Sequence, residues 1–332
     1  MSILLTGVAG FIGYHVAAAL MARGEQVIGV DNLTPYYDVR LKQARLERLR
    51  QNPNFSFLPL DIADRAAMLD LADSHPEITR IVHLAAQAGV RYSMVDPYAY
   101  VHSNVLGHLC VLELARRLGG LRHLVYASSS SVYGGNDRLP FSETDRVDQP
   151  LSLYAATKRA DELMSHAYGH LFGVPQTGLR FFTVYGPWGR PDMAYFSFAE
   201  AIIAGRPITV YDGGAVRRDF TYIDDIVKGV LGALDNPPPV PVNDAPPVRI
   251  LNIGNNRSEP ISNVITLLEE GLGRRALITY APRPPADVAD TCADVDAISL
   301  LAGFAPSTPL SVGIPRFVTW FRDWMALAPA AE

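Results

Sequence analysis

The sequence predicts an α/β fold, a doubly wound parallel sheet with a smaller, discontinuous C-terminal substrate region. Three observations predict it. Short apolar runs alternate with helical patterns through the first half of the chain, which is typical of parallel sheets covered by helices on both faces. A glycine-rich turn directly follows the first apolar run. From Val184 onward the alternation loosens into short helices, isolated strands and turns rich in proline and glycine.

The strands are predicted from nearly continuous apolar runs, and the helices from the segments between them. The predicted strands are Ile3–Leu5, Gln26–Val30, Phe55–Pro59, Arg80–Leu84, His123–Ala127 and Gln176–Arg180. The predicted helices are Phe11–Arg23, Val39–Arg50, Arg65–Ser74, Tyr100–Leu118 and Leu153–Phe172.

A proline-rich loop interrupts the C-terminal half. Pro237–Pro239 and Pro246–Pro247 bracket it, since proline continues neither a helix nor a central strand. One more strand is predicted at Arg249–Asn252. We therefore predict a cofactor domain over residues 1–180, to which residues 223–254 return. Residues 181–222 and 255–332 then form most of the substrate region.

Composition excludes several classes of protein. The 332 residues are 48% hydrophobic and 19% charged, as in ordinary globular proteins, and a net charge of -5 gives no basic patch for nucleic acid. No apolar run is long enough to cross a membrane. Two cysteines, Cys110 and Cys292, argue against a disulfide scaffold or a cysteine metal site, and no metal is expected. The first strand begins at once, which predicts a cytoplasmic protein without a secretory signal.

Lysine is scarce. Of 29 basic residues only Lys42, Lys158 and Lys228 are lysines. We interpret Lys42 and Lys228 as surface residues, whereas Lys158 lies in a pattern that carries chemistry.

The glycine-rich turn predicts a dinucleotide site. Gly7, Gly10 and Gly13 lie between the first strand and the first helix, where the backbone turns sharply and approaches a pyrophosphate without a Cβ in the way. The helix start, Phe11 and Ile12, then offers free N–H groups to that anion. Asp31, at the end of the second strand, accepts hydrogen bonds from a ribose and repels a 2′-phosphate. The turn therefore predicts a Rossmann-type domain that binds NAD.

Tyr154 and Lys158 lie four residues apart on one face of a predicted helix. An unperturbed tyrosine has a pKa of about 10, which is too high for a base at neutral pH. A neighbouring ammonium and a positive nicotinamide both favour the phenolate and lower that pKa. The tyrosinate then takes a hydroxyl proton while hydride leaves to the nicotinamide. A serine run, Ser128–Ser131, ends the preceding strand and offers a hydroxyl to the same oxygen.

These two segments resemble the extended short-chain dehydrogenase/reductase family. The resemblance implies that Ser129, four residues before Tyr133, completes the catalytic group, with Ser128 and Ser130 as its competitors. Four longer segments are similar to UDP-glucuronate 4-epimerases of that family. They are Asp31–Asp38, His83–Ser93, Arg180–Met193 and Arg217–Tyr222.

The resemblance implies reversible inversion at carbon 4 of UDP-glucuronate by a homodimer that keeps NAD bound. The dimer would form through the helices Tyr100–Leu118 and Leu153–Phe172. An apolar face of Leu163, Ala167 and Leu171 allows that interface, although intramolecular packing explains the face equally well. Further cofactor contacts are assigned to Asn32, Asp61, Ile62, Leu84, Ala85, Ala86 and Asn104. Substrate contacts are assigned to Arg91, Ser129, Thr183, Arg190, Arg218 and Asp287.

Roles within the substrate set follow from residue type. Arg218 suits the diphosphate because a guanidinium fork matches phosphate oxygens, with a surface ion pair to Asp219 as the structural alternative. Thr183 replaces an asparagine of UDP-galactose epimerases, a change that suits a sugar carboxylate. Arg91 is a carboxylate partner by charge alone. Ala286 and Cys292 depart from the family pattern near Asp287, and we interpret Cys292 as a packing residue.

Other activities remain open on the sequence. A 4-keto derivative of a glucuronate is a β-keto acid, so a decarboxylase of the same family is one alternative. A 4-epimerase of UDP-glucose or UDP-galactose is another. A dehydratase would need an acidic pair in the serine run, which is serine throughout. A non-catalytic dinucleotide sensor would not need Tyr154 and Lys158.

Overall fold

The computed structural model describes residues 1–239 and 245–327 of the chain. Its strands are β1 (Ser2–Thr6), β2 (Gln26–Asp31), β3 (Phe55–Pro59), β4 (Ile78–His83), β5 (His123–Ser129), β6 (Gln176–Phe181), β7 (Thr183–Tyr185), β8 (Pro207–Tyr211), β9 (Arg217–Tyr222), β10 (Val248–Ile253), β11 (Ser258–Pro260) and β12 (Leu277–Ala281). Its helices are α1 (Phe11–Ala22), α2 (Val39–Arg50), α3 (Arg65–Ser74), α4 (Pro97–Tyr100), α5 (Gly107–Arg117), α6 (Leu153–Phe172), α7 (Ala194–Ile203), α8 (Ile223–Asp235), α9 (Ile261–Leu272), α10 (Asp296–Ala302) and α11 (Leu310–Leu327).

Seven of these strands form one parallel sheet in the order β10-β6-β5-β4-β1-β2-β3. Side chains of β1 alternate between the two faces, as the period of a strand requires. Ile3 and Leu5 enter the larger core, which also contains residues of α1 and α8, whereas Leu4 enters a second core with α3 and α5. The predicted doubly wound parallel fold is confirmed.

The predicted helix Tyr100–Leu118 is wrong in one respect, because it is not one regular helix. α4 begins after Asp96, whose side chain accepts from the Ala99 N–H, and Pro97 takes the first position. The backbone then widens into a π-helical turn at Val101–Leu106 before α5. Such turns lie often at functional sites, and this one carries Asn104.

The second half adds two small sheets. β7 pairs with β9 in parallel and β9 with β11 antiparallel, while β8 and β12 form a parallel pair. The helices α7, α9 and α11 pack together beside them. The predicted strand Arg249–Asn252 is confirmed as β10, which returns to the main sheet beside β6. Residues 240–244 of the predicted proline loop lie outside the described residues.

Over residues 1–239 and 245–327, no helix combines the length and the apolar character that a membrane crossing requires.

A buried histidine links β5 to its neighbours. His123 Nδ1 lies 3.1 Å from Leu234 O, and Nε2 lies 2.8 Å from Thr177 Oγ1. Since a carbonyl only accepts, Nδ1 carries the proton and Nε2 accepts from the threonine. Burial lowers the pKa of His123 to about 4, so the ring is neutral at pH 7.

This burial makes folding stability depend on pH. Between pH 6.5 and 4 the unfolded chain binds a proton at His123 that the folded chain excludes, so stability falls as pH falls. We expect the free energy of unfolding to decline by about 2 kcal/mol more in the wild type than in His123→Gln between pH 7.5 and 5. Urea unfolding of both proteins at the two pH values measures this difference. Equal declines would contradict the buried neutral ring.

Candidate active site

One large cleft opens at the carboxyl ends of the parallel strands, where ligands bind in doubly wound folds. It is lined by residues that follow each of the strands β1 to β6. Of the residues predicted to form the site, all but Arg91 and Asn104 line it. These lining residues are Gly7, Gly10, Phe11, Ile12, Gly13, Asp31, Asn32, Asp61, Ile62, Leu84, Ala85, Ala86, Ser128, Ser129, Ser130, Tyr154, Lys158, Thr183, Arg190, Arg218 and Asp287.

The glycine-rich turn has room only for glycine at all three of its glycines, and a Cβ on Gly10 would lie 2.9 Å from Gly7 O. Gly7 has a φ of 74°, and a Cβ there would lie 2.6 Å from Ala85 N. A Cβ on Gly13 would lie 2.1 Å from Gly7 O. Gly10 precedes α1 and offers no side-chain cap, so the first N–H groups of the helix face the cleft uncapped. This cradle fits the pyrophosphate of a dinucleotide.

Asp31 ends β2 with its carboxylate held by the backbone. Its oxygens accept from Ala9 N at 3.1 Å and from Leu33 N at 2.8 Å. Lys42 Nζ lies 3.9 Å from the same carboxylate and over the Tyr37 ring. The surface interpretation of Lys42 is therefore wrong, because this side chain is buried and lines the cleft. Lys228 lies at the surface, as predicted.

Tyr154 and Lys158 both lie in the first turns of α6. Ser152 caps this helix by accepting from Ala155 N at 3.1 Å. Lys158 Nζ donates to Ala127 O and to Asp161 Oδ2, both at 3.0 Å. An ammonium has three donors, so one donor remains for the cleft that Lys158 lines. The backbone of β5 and a buried carboxylate thus fix a cation one helical turn from the Tyr154 phenol.

The serine run divides into two roles. Ser128 Oγ donates to Glu162 Oε1 at 2.6 Å, so its proton points away from the cleft. Ser129 Oγ accepts from Ser131 N at the start of a short 3₁₀ turn, which leaves its own proton free. Ser130 is half-buried and lines the cleft. The geometry favours Ser129, with Ser130 beside it, over Ser128 as the available hydroxyl.

Glu162 also joins α6 to the sheet. Its two carboxylate oxygens receive Arg180 Nε and Nη2, each at 2.9 Å. Arg180 belongs to β6 and lies over the Tyr133 ring. Both charged groups are buried, so this bidentate pair fixes the helix of Tyr154 and Lys158 on strands β5 and β6.

The loop after β7 and strand β9 add two cations to the cleft lining, Arg190 and Arg218. Arg190 forms a bidentate pair with Asp192, at 3.0 and 2.6 Å, and Tyr36 Oη donates to the same carboxylate. Arg218 donates to Arg217 O and Ala289 O. The alternative ion pair of Arg218 with Asp219 does not form. The Asp219 carboxylate is buried and accepts backbone N–H groups.

Two predicted site residues lie behind the cleft lining. Asn104 is buried and bridges the backbone of Gln87 to Thr157 Oγ1, so it braces the loop after β4. Arg91 pairs with Asp287 at 2.9 Å and covers the Tyr211 ring. Arg91 therefore holds the loop that contains Asp287 from its solvent side.

Cys292 does not have the properties of a nucleophile. Burial raises the pKa of its thiol to about 11, so almost no thiolate exists at neutral pH. Its Sγ faces Asn256 Oδ1 at 3.8 Å. These contacts agree with the predicted packing role.

Comparison with known proteins shows which family this geometry belongs to. The model of the NAD dependent epimerase/dehydratase family matches residues 3–254. The chain belongs to this family. It is 45% identical over 333 residues to a probable UDP-glucuronate 4-epimerase of Rhizobium meliloti, covering 97% of each chain. It is 47% identical to UDP-glucuronate 4-epimerase 3 of Arabidopsis thaliana, covering 97% of this chain and 77% of the relative.

Solved structures show the same similarity. The UDP-glucuronic acid 4-epimerase of Bacillus cereus, in complex with UDP-glucuronic acid and NAD, superimposes with a TM-score of 0.89 at 33% identity. The alignment covers 98% of this chain and 100% of that one. A UDP-glucose 4-epimerase of Thermotoga maritima, in complex with UDP-glucose, gives a TM-score of 0.86 at 28% identity over 98% and 100% of the two chains. The fold alone therefore does not separate these substrates.

The sequence did not identify several residues of this family's cleft. Tyr36, Tyr37 and Gln87 line it, and all three lie inside segments whose signal in the sequence is a resemblance to the family rather than a local chemical pattern. Lys42 lies on α2 and reaches Asp31 from the side. The scarcity of lysine was a signal for Lys42, because each remaining lysine in an arginine-rich chain invites a specific role.

The two serines provide a test of the geometry. We expect Ser129→Ala to lower kcat about 10²-fold, since it removes a hydroxyl donor from the reacting oxygen. Ser128→Ala should keep kcat but lower the free energy of unfolding by about 1–3 kcal/mol, because Glu162 loses a buried donor. Steady-state kinetics and urea unfolding measure the two effects. A large loss of kcat in Ser128→Ala alone would reverse the assignment.

Proposed function

We propose that this protein is an NAD-dependent 4-epimerase that interconverts UDP-glucuronate and UDP-galacturonate through a transient 4-keto sugar. One observation carries the proposal. Tyr154, Lys158, the dinucleotide turn and Thr183 open into a single cleft, in a chain that is 45% identical to a probable UDP-glucuronate 4-epimerase over nearly its full length. When bound, NAD supplies a hydride acceptor that later returns the hydride.

The protein's own residues move the proton. The Lys158 ammonium, held by Ala127 O and Asp161, is the cation assigned to balance the negative charge of the Tyr154 oxygen during proton transfer. The phenolate takes the proton from the hydroxyl at carbon 4, and the Ser129 hydroxyl donates to the same oxygen. Rotation of the keto sugar then presents its other face, and Tyr154 returns the proton. The inversion therefore needs one acid–base group, Tyr154, beside one cation that is held in place, Lys158.

The sugar carboxylate needs a geometry of its own. The 4-keto intermediate is a β-keto acid. It loses carbon dioxide when the bond between the sugar ring and the carboxylate carbon aligns with the π-system of the 4-keto group. We assign the opposing contacts to Thr183, Ser129 and Ser130, with Arg190 as the cation of this side, since all four line the cleft. We do not assign this role to Arg91, because its guanidinium pairs with Asp287.

The remaining contacts follow the same division. We propose that residues 1–180 and 223–254 hold the cofactor and that residues 181–222 and 255–332 mainly hold the UDP-sugar. Asp31, Asn32, Asp61 and Ile62 would then face the adenosine half. Arg218 and Asp287 would face the uridine diphosphate. Cys110 and Cys292 are both unpaired, which supports a reducing, cytoplasmic location.

Product analysis tests the proposed reaction. We expect purified protein incubated with UDP-glucuronate to form UDP-galacturonate, without UDP-xylose or released carbon dioxide. Proton NMR of the reaction mixture measures the products. UDP-glucose, run side by side, should react much more slowly. Tyr154→Phe keeps the ring but loses the acid–base group, so its turnover should fall on the order of 10³-fold.

Each contrary result identifies another function. Dominant decarboxylation would make the protein a UDP-glucuronate decarboxylase. Faster turnover of UDP-glucose would make it a UDP-glucose epimerase. NAD binding without turnover of either sugar would leave a dinucleotide sensor.

We also propose a homodimer through α6 and the neighbouring turn Val101–Leu106. Leu163, Ala167 and Leu171 of α6 are exposed, which removes intramolecular packing as the explanation for this apolar face. Phe172 and Leu106 are exposed as well. The turn and α6 pack together, so the exposed apolar side chains belong to two neighbouring elements. A broad exposed apolar face is typical of an association surface.

Charge on this face should separate the subunits. We expect the wild type to sediment as a dimer and Leu163→Glu/Leu171→Glu to sediment as a monomer, since two buried carboxylates would lack partners. Leu300→Glu, an exposed leucine on α10, is the matched control and should remain a dimer. Sedimentation velocity measures all three, and a monomeric wild type would overturn the proposal.

A further inference from the structure

Arg45 of α2 is fully buried and contacts three separate segments. Its Nη1 donates to Ala9 O at 2.8 Å and to Tyr37 Oη at 2.7 Å. Its Nη2 donates to Trp188 O at 2.6 Å and to Gly189 O at 3.1 Å. One planar guanidinium therefore spans the glycine-rich turn, the loop after β2 and the loop after β7.

The charge of Arg45 has no carboxylate partner within residues 1–239 and 245–327, and its Nε has no hydrogen-bond partner there. A buried charge without an opposite charge is expensive to maintain. A neutral apolar residue would avoid this cost, so ion pairing does not explain the arginine. Its fixed fork, which reaches several carbonyl groups at once, does explain it.

The loop that Arg45 holds is strained. Trp188 has a φ of 61°, a conformation that bulky residues rarely adopt. Its ring lies between Tyr14 and Trp320, with centroid distances of 5.5 and 5.3 Å. A Cβ on Gly189 would lie 1.8 Å from Tyr195 Oη. Strained backbone persists where its surroundings over-determine it, and it lies often at functional sites.

A second contact holds the same loop from α1. His15 Nε2 lies 3.0 Å from Pro187 O. Burial lowers the pKa of His15 to about 4, so the neutral ring donates to this carbonyl at pH 7. The consecutive carbonyls of Pro187, Trp188 and Gly189 are thus all held by the cofactor half of the molecule. The next residue is Arg190, which lines the cleft.

We propose that Arg45 is a positioning residue that joins the dinucleotide turn to the strained loop and thereby places Arg190 against the substrate. It contacts neither ligand, because it does not line the cleft. The proposal rests on the substrate role of Arg190 given under the proposed function. It makes substrate affinity depend on a residue of α2 that lies behind the cofactor turn.

Arg45→Lys tests the fork while it keeps the charge. We expect the affinity of NAD-loaded protein for UDP-glucuronate, measured by calorimetry, and the KM to weaken about tenfold, with kcat within about twofold. Arg50→Lys, an exposed arginine of the same helix, is the matched control and should match the wild type. A variant that is merely less stable, with wild-type KM per active site, would overturn the proposal.

A double variant tests whether Arg45 acts through Arg190. In the Arg190→Gln background, Arg45→Lys should add little further loss of affinity, whereas independent roles would give additive losses and overturn the proposal. Hydrogen exchange needs no substrate and gives a separate test. The amides of residues 188–190 should exchange faster in Arg45→Lys than in the wild type. Equal exchange would refute the proposal that Arg45 holds this loop, whether or not the protein is an epimerase.

The unsubstituted protein gives a last measurement, in case Arg45→Lys does not fold. NAD binding at the turn should slow exchange of the amides at 188–190, because Arg45 ties the two segments. Exchange that NAD leaves unchanged in this loop would overturn the proposal.

Discussion

The buried ion pair between Glu162 and Arg180 supports the arrangement on which the chemistry depends. It attaches α6 to β6, and Ser128 adds a bond to β5. Removing one partner of such a pair costs about 3–5 kcal/mol, since the other charge stays buried. Tyr154 and Lys158 are carried by the same helix. Their placement against the serine run therefore depends on a contact one turn beyond Lys158 and two turns beyond Tyr154, between residues that do not line the cleft.

The sequence identified the parts of the site that local chemistry defines. Gly7 and Gly13 could be predicted because backbone atoms at the turn leave no space for a Cβ. Tyr154 and Lys158 could be predicted because a helix brings residues four apart together. The six N-terminal strands were predicted within about two residues at each end, since buried parallel strands are continuous apolar runs. These features need no knowledge of distant contacts.

The remainder depends on contacts between distant segments. Asn104 resembled a ligand residue, yet it binds the Gln87 backbone across the π-helical turn. Arg91 was selected by its charge, and the pairing with Asp287 arises only when residues almost two hundred positions apart meet. The resemblance to the family favoured Ser129 over Ser128 but gave no physical reason. The structure adds that reason, because the Ser128 hydroxyl donates its hydrogen bond to Glu162.

The return of β10 to the main sheet has a consequence for how the chain is made. β6 pairs with β5 on one side and with β10 on the other, and three strands of the small sheets, β7, β8 and β9, lie between β6 and β10 in sequence. A growing chain that has reached only the end of β6 exposes the unpaired edge of that strand. It also lacks Asn252, which accepts from Tyr133 and donates to Phe141 O. Synthesis proceeds from the N-terminus, and open strand edges invite aggregation. The nascent main sheet thus stays incomplete and vulnerable on the ribosome until β10 has emerged, after the strands β7, β8 and β9.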